Sequence, residues 1–197
     1  MYKYGGEKDM KETKKIEITK YPWDFNGYKP RTFAEITRDD GGFAVHFVSY
    51  ETELSAIQTK HNTDIYCDSA MELFVKFAPE TDNHYINFEI NPNGAMYCSN
   101  STEREDSKQI APEVIDTLNP KTQIFPDRWE AEYYISVDFI KRFFPNYIHG
   151  GLIEGNLYKT GEKTKYPHWG CWRETGTEKP DFHRPESFDV IFTNKKI

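Results

Sequence analysis

The chain has 197 residues, a net charge of −7, 29% charged residues and 16% aromatic ones. That length suits one domain with a sizeable core, and so many aromatic rings exclude a wholly disordered chain. The acidic balance argues against a nucleic-acid backbone or an anionic membrane as the main partner, because both need a basic face.

Residues 1–14 are polar and rich in Lys and Glu, and read as a flexible N-terminal arm ahead of a single domain at 15–197. The opening "MYKYGGEKDMKETKKIEI" has no apolar h-region and no small-residue cleavage site. The chain as it stands is therefore expected in the cytoplasm, or outside the cell if it is a trimmed mature form. No window approaches the roughly 18 apolar residues of a membrane span.

"RTFAEITR" (31–38) and "GFAVHFVSYE" (42–51) are strands on either side of the hairpin signal "DDGG". "AMELFVKF" (70–77) alternates, with Met71, Leu73, Val75 and Phe77 on one face and Glu72, Phe74 and Lys76 on the other. "HYINFEIN" (84–91) repeats this, setting Ile86, Phe88 and Ile90 against Tyr85, Asn87, Glu89 and Asn91. "NPNG" turns the chain into a further strand from "AMYC". "SNSTEREDSKQIAPE" (99–113) reads as a polar loop on the rim. "WEAEYYISVD" (129–138) puts Trp129, Ala131, Tyr133, Ile135 and Val137 on one side, "VDFIKRFFP" (137–145) is a two-turn helix stopped by Pro145, and "SFDVIF" (187–192) is a last strand. These elements predict an all-β fold: a single β-sandwich of jelly-roll-like, immunoglobulin-like layers with one short helix.

A strand face of Tyr, Asn, Glu and Asn by itself usually meets water. Glu72 and Lys76 repeat the pattern on a second strand, which predicts a polar, concave sheet face. Such a face suits a neutral polyhydroxylated ligand, because carboxylates and amides grip pairs of hydroxyls and aromatic rings stack on the apolar faces of a pyranose. The loop "HWGCWRETGTEKPDFHRPE" (168–186) has two readings. Trp169, Trp172 and Phe182 either wall a binding cleft or cap an open end of the sandwich, with His183, Arg184 and Glu186 tying the loop in place. Cys67, Cys98 and Cys171 form no CxxC motif and are expected as reduced thiols.

The blocks "DSAMELFVKF", "YINFEINPNGAMY", "WEAEYYISVDFI", "GNLYK" and "PDFHRPESFDVIFTN", in that order, resemble carbohydrate-binding module family 9-like domains, a DOMON-related β-sandwich. The resemblance runs from about residue 15 to the end. It implies a non-catalytic domain that clamps a xylan- or glucan-type saccharide between two aromatic rings, carries structural calcium and associates with glycoside hydrolases. Transferred position by position, it implies Tyr66 as the first clamp ring and Glu72, with Asp68 and Ser69 ahead of it, as a hydroxyl partner. Glu89 and Asn91 are the polar pair on the next strand, and Phe182 is the second ring, with Trp169 and Trp172 as alternatives. The first residue of the polar pair is basic in well-known binders and acidic here.

Other readings stay open. Glu72 and Glu89 suit a glycoside-processing enzyme acting on O-glycosyl compounds, although no G-x-S-x-G, HExxH or P-loop motif is present. Met71 with a histidine could hold haem. An interaction domain with a degenerate sugar site is a further alternative. For calcium, the acid-rich turns hold Asp39 and Asp40, and Asn62, Asp64 and Asp68, with no ligand set assigned.

Overall fold

A computed structural model describes residues 11–51 and 53–194. In chain order the described elements are β1 (Glu12–Ile18), β2 (Thr32–Asp39), β3 (Gly42–Ser49), β4 (Ala70–Lys76), β5 (Tyr85–Ile90), β6 (Met96–Ser101) and β7 (Lys108–Gln109). There follow α1 (Pro112–Ile115), β8 (Lys121–Ile124), β9 (Trp129–Ser136), α2 (Val137–Phe143), β10 (Ile153–Thr160), β11 (Trp169–Cys171) and β12 (Asp189–Phe192). The strands make two antiparallel sheets. One has the order β1-β2-β3-β9-β8, and the seven-stranded one runs β11-β10-β4-β5-β6-β7 with β12 also on β10.

The β2–β3 hairpin forms where the turn chemistry places it. Asp39 Oδ1 accepts from the backbone N–H groups of Gly41 (2.9 Å) and Gly42 (3.1 Å). A Cβ at Gly42 would lie 2.1 Å from the Ile135 carbonyl oxygen, so only glycine lets β9 approach this closely. Helix α2 starts at Ser136, whose hydroxyl accepts from Phe139 N at 3.0 Å, and its last turn carries Lys141 and Arg142.

The apolar face predicted for β4 and β5 points between the sheets. Met71, Leu73, Val75, Ile86, Phe88 and Ile90 pack there with Ile36, Val45, Phe47, Trp129 and Ile135. At one end of this core lies a buried ion pair, Lys159 Nζ to Glu51 Oε2 at 3.0 Å, with both side chains fully excluded from water. Ser69 Oγ (2.9 Å) and Trp129 Nε1 (3.3 Å) also donate to Glu51, so little of that carboxylate's hydrogen-bonding capacity is left unmet. Met71 is ordinary packing in this core.

Several details differ from the sequence expectations. β1 begins at Glu12, inside the stretch read as an arm, whereas residues 1–10 lie outside the described residues. The stretch 99–113 holds the end of β6, all of β7 and the start of the one-turn α1, which adds a second short helix. β8, β10 and β11 are strands where none was expected. The second face of β4 and β5 is not open to water: Glu72, Asn87, Glu89 and Asn91 are all buried.

One edge of β10 pairs with β4, and the other is shared end to end by β11 (opposite residues 158–160) and β12 (opposite residues 153–155). Between them the chain leaves the sheet and runs over its outer face. The neck of this loop is narrow. Arg173 N donates to Asn156 Oδ1 (3.0 Å), Asp189 stands opposite Gly155, and the Arg173 guanidinium pairs with the Asp189 carboxylate.

Candidate functional site

Register decides which side chains meet on the outer face of the larger sheet. Tyr158, Glu72, Glu89 and Tyr97 form one row across β10, β4, β5 and β6; Asn156, Phe74, Asn87 and Ser99 form the next. The loop 172–188 lies over these rows. Phe182 stacks on Tyr158 with ring centroids 4.0 Å apart and planes 9° apart, and Phe74, Tyr85, Cys171, Trp23, Trp169 and Phe188 complete a small apolar cluster. The loop is thus both a cap and a wall. It stops short of the row of glutamates, and a cavity of about 270 Å³ opens there.

The floor of the cavity is Glu72, Glu89 and Thr160; its walls are Tyr66, Phe74, Arg104, Glu162, Trp169, Pro180, Phe182 and His183. Tyr66 comes from the segment before β4. It is held beside the 161–164 turn by Glu162 N to Tyr66 O (3.2 Å) and Lys163 N to Cys67 O (3.0 Å). Its ring is 40% exposed and free to stack on a ligand, whereas Phe182 is only 7% exposed and offers little more than an edge. Trp169, half-buried, is the more open ring of the opposite wall.

The two floor carboxylates are direct cross-strand partners, so their Cβ atoms stand about 4.5–5.5 Å apart. Thr160 Oγ1 donates to Glu72 Oε1 at 2.7 Å and Asn87 Nδ2 to Glu89 Oε1 at 3.0 Å, but the buried Glu89 Oε2 has no protein partner. Burial pushes Glu72 up to about 7, and burial followed by the neighbouring Glu72 charge raises Glu89 well above the usual carboxylate range. The pair therefore keeps a proton at neutral pH and can both donate to and accept from hydroxyls. Burial also lowers His183 to about 4, so its ring is neutral. Tyr85 Oη lies 2.7 Å from His183 Nδ1; a hydroxyl donated there leaves the ring proton on Nε2.

Of the residues expected from sequence, Tyr66, Glu72, Glu89, Trp169, Phe182 and His183 line the cavity. Three do not. Asn91 gives its amide to Gln58 O (2.8 Å) and Asp68 Oδ2 (2.9 Å) and takes backbone N–H groups from Asn93 and Ala95, so it builds the turn after β5. Trp172 packs against the main core. Arg184 is held at Asp181 Oδ2, 2.8 Å away. Phe74, Thr160 and Glu162 joined the site unannounced, as did Arg104, whose Nη2 is 2.6 Å from Asp181 Oδ1. Arg104 sits in the polar stretch after β6, and nothing local signals that this loop folds onto the glutamates.

In the acid-rich turns, Asp39 and Asp68 are taken up by protein donors. Asp39 Oδ1 accepts from two backbone N–H groups and from the Tyr134 hydroxyl. Asp68 accepts from Ser55 Oγ, Ile57 N, Gln58 N and Asn91 Nδ2. Among the described residues no three His, Cys, Asp or Glu side chains gather as a metal set. Cys67, Cys98 and Cys171 are free and buried.

A sequence model described as carbohydrate-binding family 9 matches residues 7–192. No curated protein matches the chain. Among solved structures, a Bacteroides uniformis protein provisionally described as carbohydrate-binding is 25% identical, with a TM-score of 0.79 over 90% of this chain and 84% of that one. A family 9 carbohydrate-binding module from Caldicellulosiruptor kristjanssonii, solved with cellotriose, has the same fold: TM-score 0.64, 14% identity, 98% of this chain and 92% of that one. A family 9 module from the same organism, solved with glucose, gives 0.63 at 13% identity, over 94% and 86%.

Proposed function

The chain belongs to carbohydrate-binding family 9, and from that premise we propose that the cavity over Glu72 and Glu89 holds the end of a neutral saccharide chain without cleaving it. The observation that carries this is the convergence of Tyr66, Glu72, Glu89, Trp169 and Phe182, from four separate parts of the chain, on one cavity. Tyr66 and Trp169 offer ring faces, while Glu72, Glu89, Arg104 and His183 offer the hydroxyl contacts.

Both glutamates rise side by side from one sheet face. It is the match to a carbohydrate-binding family, rather than the spacing of the carboxylates, that supports holding over turnover. Structures of this fold hold cellotriose and glucose, which makes a glucan-type end the first ligand to try and a xylan-type end the second. A domain that grips a chain end without reacting is of use beside an enzyme acting on the same polymer. Association with a glycoside hydrolase is therefore part of the proposal, and co-purification tests it.

Titration calorimetry with glucose, cello- and xylo-oligosaccharides tests the site. Glu72→Ala and the shape-preserving Glu72→Gln are each expected to weaken the best ligand roughly tenfold or more, the equivalent of losing one charge-assisted contact. Unchanged affinity in both variants, with a native circular dichroism spectrum, would place the sugar elsewhere.

A further inference from the structure

Beyond the glutamate cavity, across Trp169 and Pro180, lies a second and wider groove of about 660 Å³. Its far side is the segment between β1 and β2, which presents Trp23 and Phe25. Phe25 is 70% exposed, among the most exposed large apolar side chains of the described residues.

The segment carrying it is firmly built. Lys20 and Cys171 exchange backbone hydrogen bonds at 3.1 and 2.8 Å, and Trp23 Nε1 donates to Thr177 O at 2.9 Å. Asn26 Nδ2 donates to Pro167 O at 2.8 Å. Asp24 Oδ1 accepts from the backbone N–H groups of Asn26 and Gly27, and Lys29 pairs with the same carboxylate at 2.8 Å. Gly27, at φ 77°, supplies the left-handed residue this turn requires. A turn tied at so many points fixes a bare phenyl ring 6.2 Å from the Trp169 ring, tilted by 41°.

We propose that Trp23, Phe25 and Trp169 form an extension of the saccharide site that takes the rings of the chain beyond those held over Glu72 and Glu89. This rests on the reading of the glutamate cavity as the sugar site. Continuity argues for that occupant: Glu162, Trp169 and Pro180 line both spaces. So does chemistry, since aromatic faces beside the exposed Glu178 and Lys179 match a sugar's alternating apolar faces and hydroxyl edges. The groove is the space that adjoins the glutamate cavity across the three shared residues.

The test is calorimetry with cellobiose to cellopentaose and xylobiose to xylopentaose on the wild type, Phe25→Ala and Phe25→Trp. Wild-type affinity is expected to climb roughly fivefold or more beyond the disaccharide in the series that binds. Phe25→Ala should flatten that climb and leave the disaccharide unchanged, and Phe25→Trp should preserve it. Because Phe25 is so exposed, its loss does not threaten the fold. Disaccharide binding with no dependence on length, or a climb untouched in Phe25→Ala, overturns the extension and leaves the sugar site standing. No binding at any length removes both.

Discussion

Glu72 and Glu89 give the protein a characteristic response to pH. An unfolded carboxyl of this kind titrates at 4.5, whereas Glu72 in the fold titrates at about 7. Between these values the folded chain holds a proton that the unfolded chain has released. The stability this contributes is complete below pH 4.5 and is lost as pH rises through 7. Two histidines act in the opposite sense. Burial lowers His168 to about 3 and His183 to about 4 from 6.5, so their contribution is present above pH 6.5 and lost as pH falls towards those values. Glu89→Gln keeps the Asn87 contact and removes the carboxyl that burial and the neighbouring Glu72 force to hold its proton above the ordinary range. Urea denaturation at pH 8 should show the variant more stable by about 1–2 kcal/mol, with little difference at pH 5, where both glutamates are protonated. An equal shift at the two pH values would mean that the pair does not titrate as described.

Among the strands, β10 bears the most connections. It pairs with three others, borders the cavity with Thr160, and drives Lys159 into the core against Glu51. Lys159→Met removes one charge and strands the other, which should destabilise the protein by about 3–5 kcal/mol. Pairing that change with Glu51→Gln should recover part of the loss, and chemical denaturation of the single and double variants measures both. The same burial explains why β10 escaped sequence analysis. Nearly all of "IEGNLYKT" is covered on both faces, so its Asn and Lys follow no alternation. β4, β5 and β9 were legible because each has a consistently apolar core face. β11, with three residues, is too short to announce itself. At the site, Tyr66, Glu72, Glu89 and Phe182 were reachable because they lie in or next to recognisable blocks. Arg104 was not, since its place depends on how the six polar residues between β6 and β7 fold back to Asp181.

The whole molecule is held by two covered faces of one sheet: the inter-sheet core on one side, the aromatic cap and its cavity on the other. Asp39 and Asp68 are already engaged by protein donors, so chelation should not loosen it. A melting curve in excess EDTA is expected to coincide with one in millimolar calcium, to within about one degree. A rise of several degrees with calcium, equivalent to about 1 kcal/mol or more for a domain of this size, would reveal an ion site built from groups other than those turns.

The narrow neck at Arg173 and Asp189 has a consequence for how such proteins diversify. Both ends of the loop are fastened to neighbouring positions of a single strand. The segment between them is a detachable cassette, and its length and sequence can change without altering the register of any strand. Each doubling of its length adds only about 0.6 kcal/mol of closure entropy. Selectivity for a ligand can therefore be rewritten in one short stretch of gene while the scaffold beneath is inherited intact.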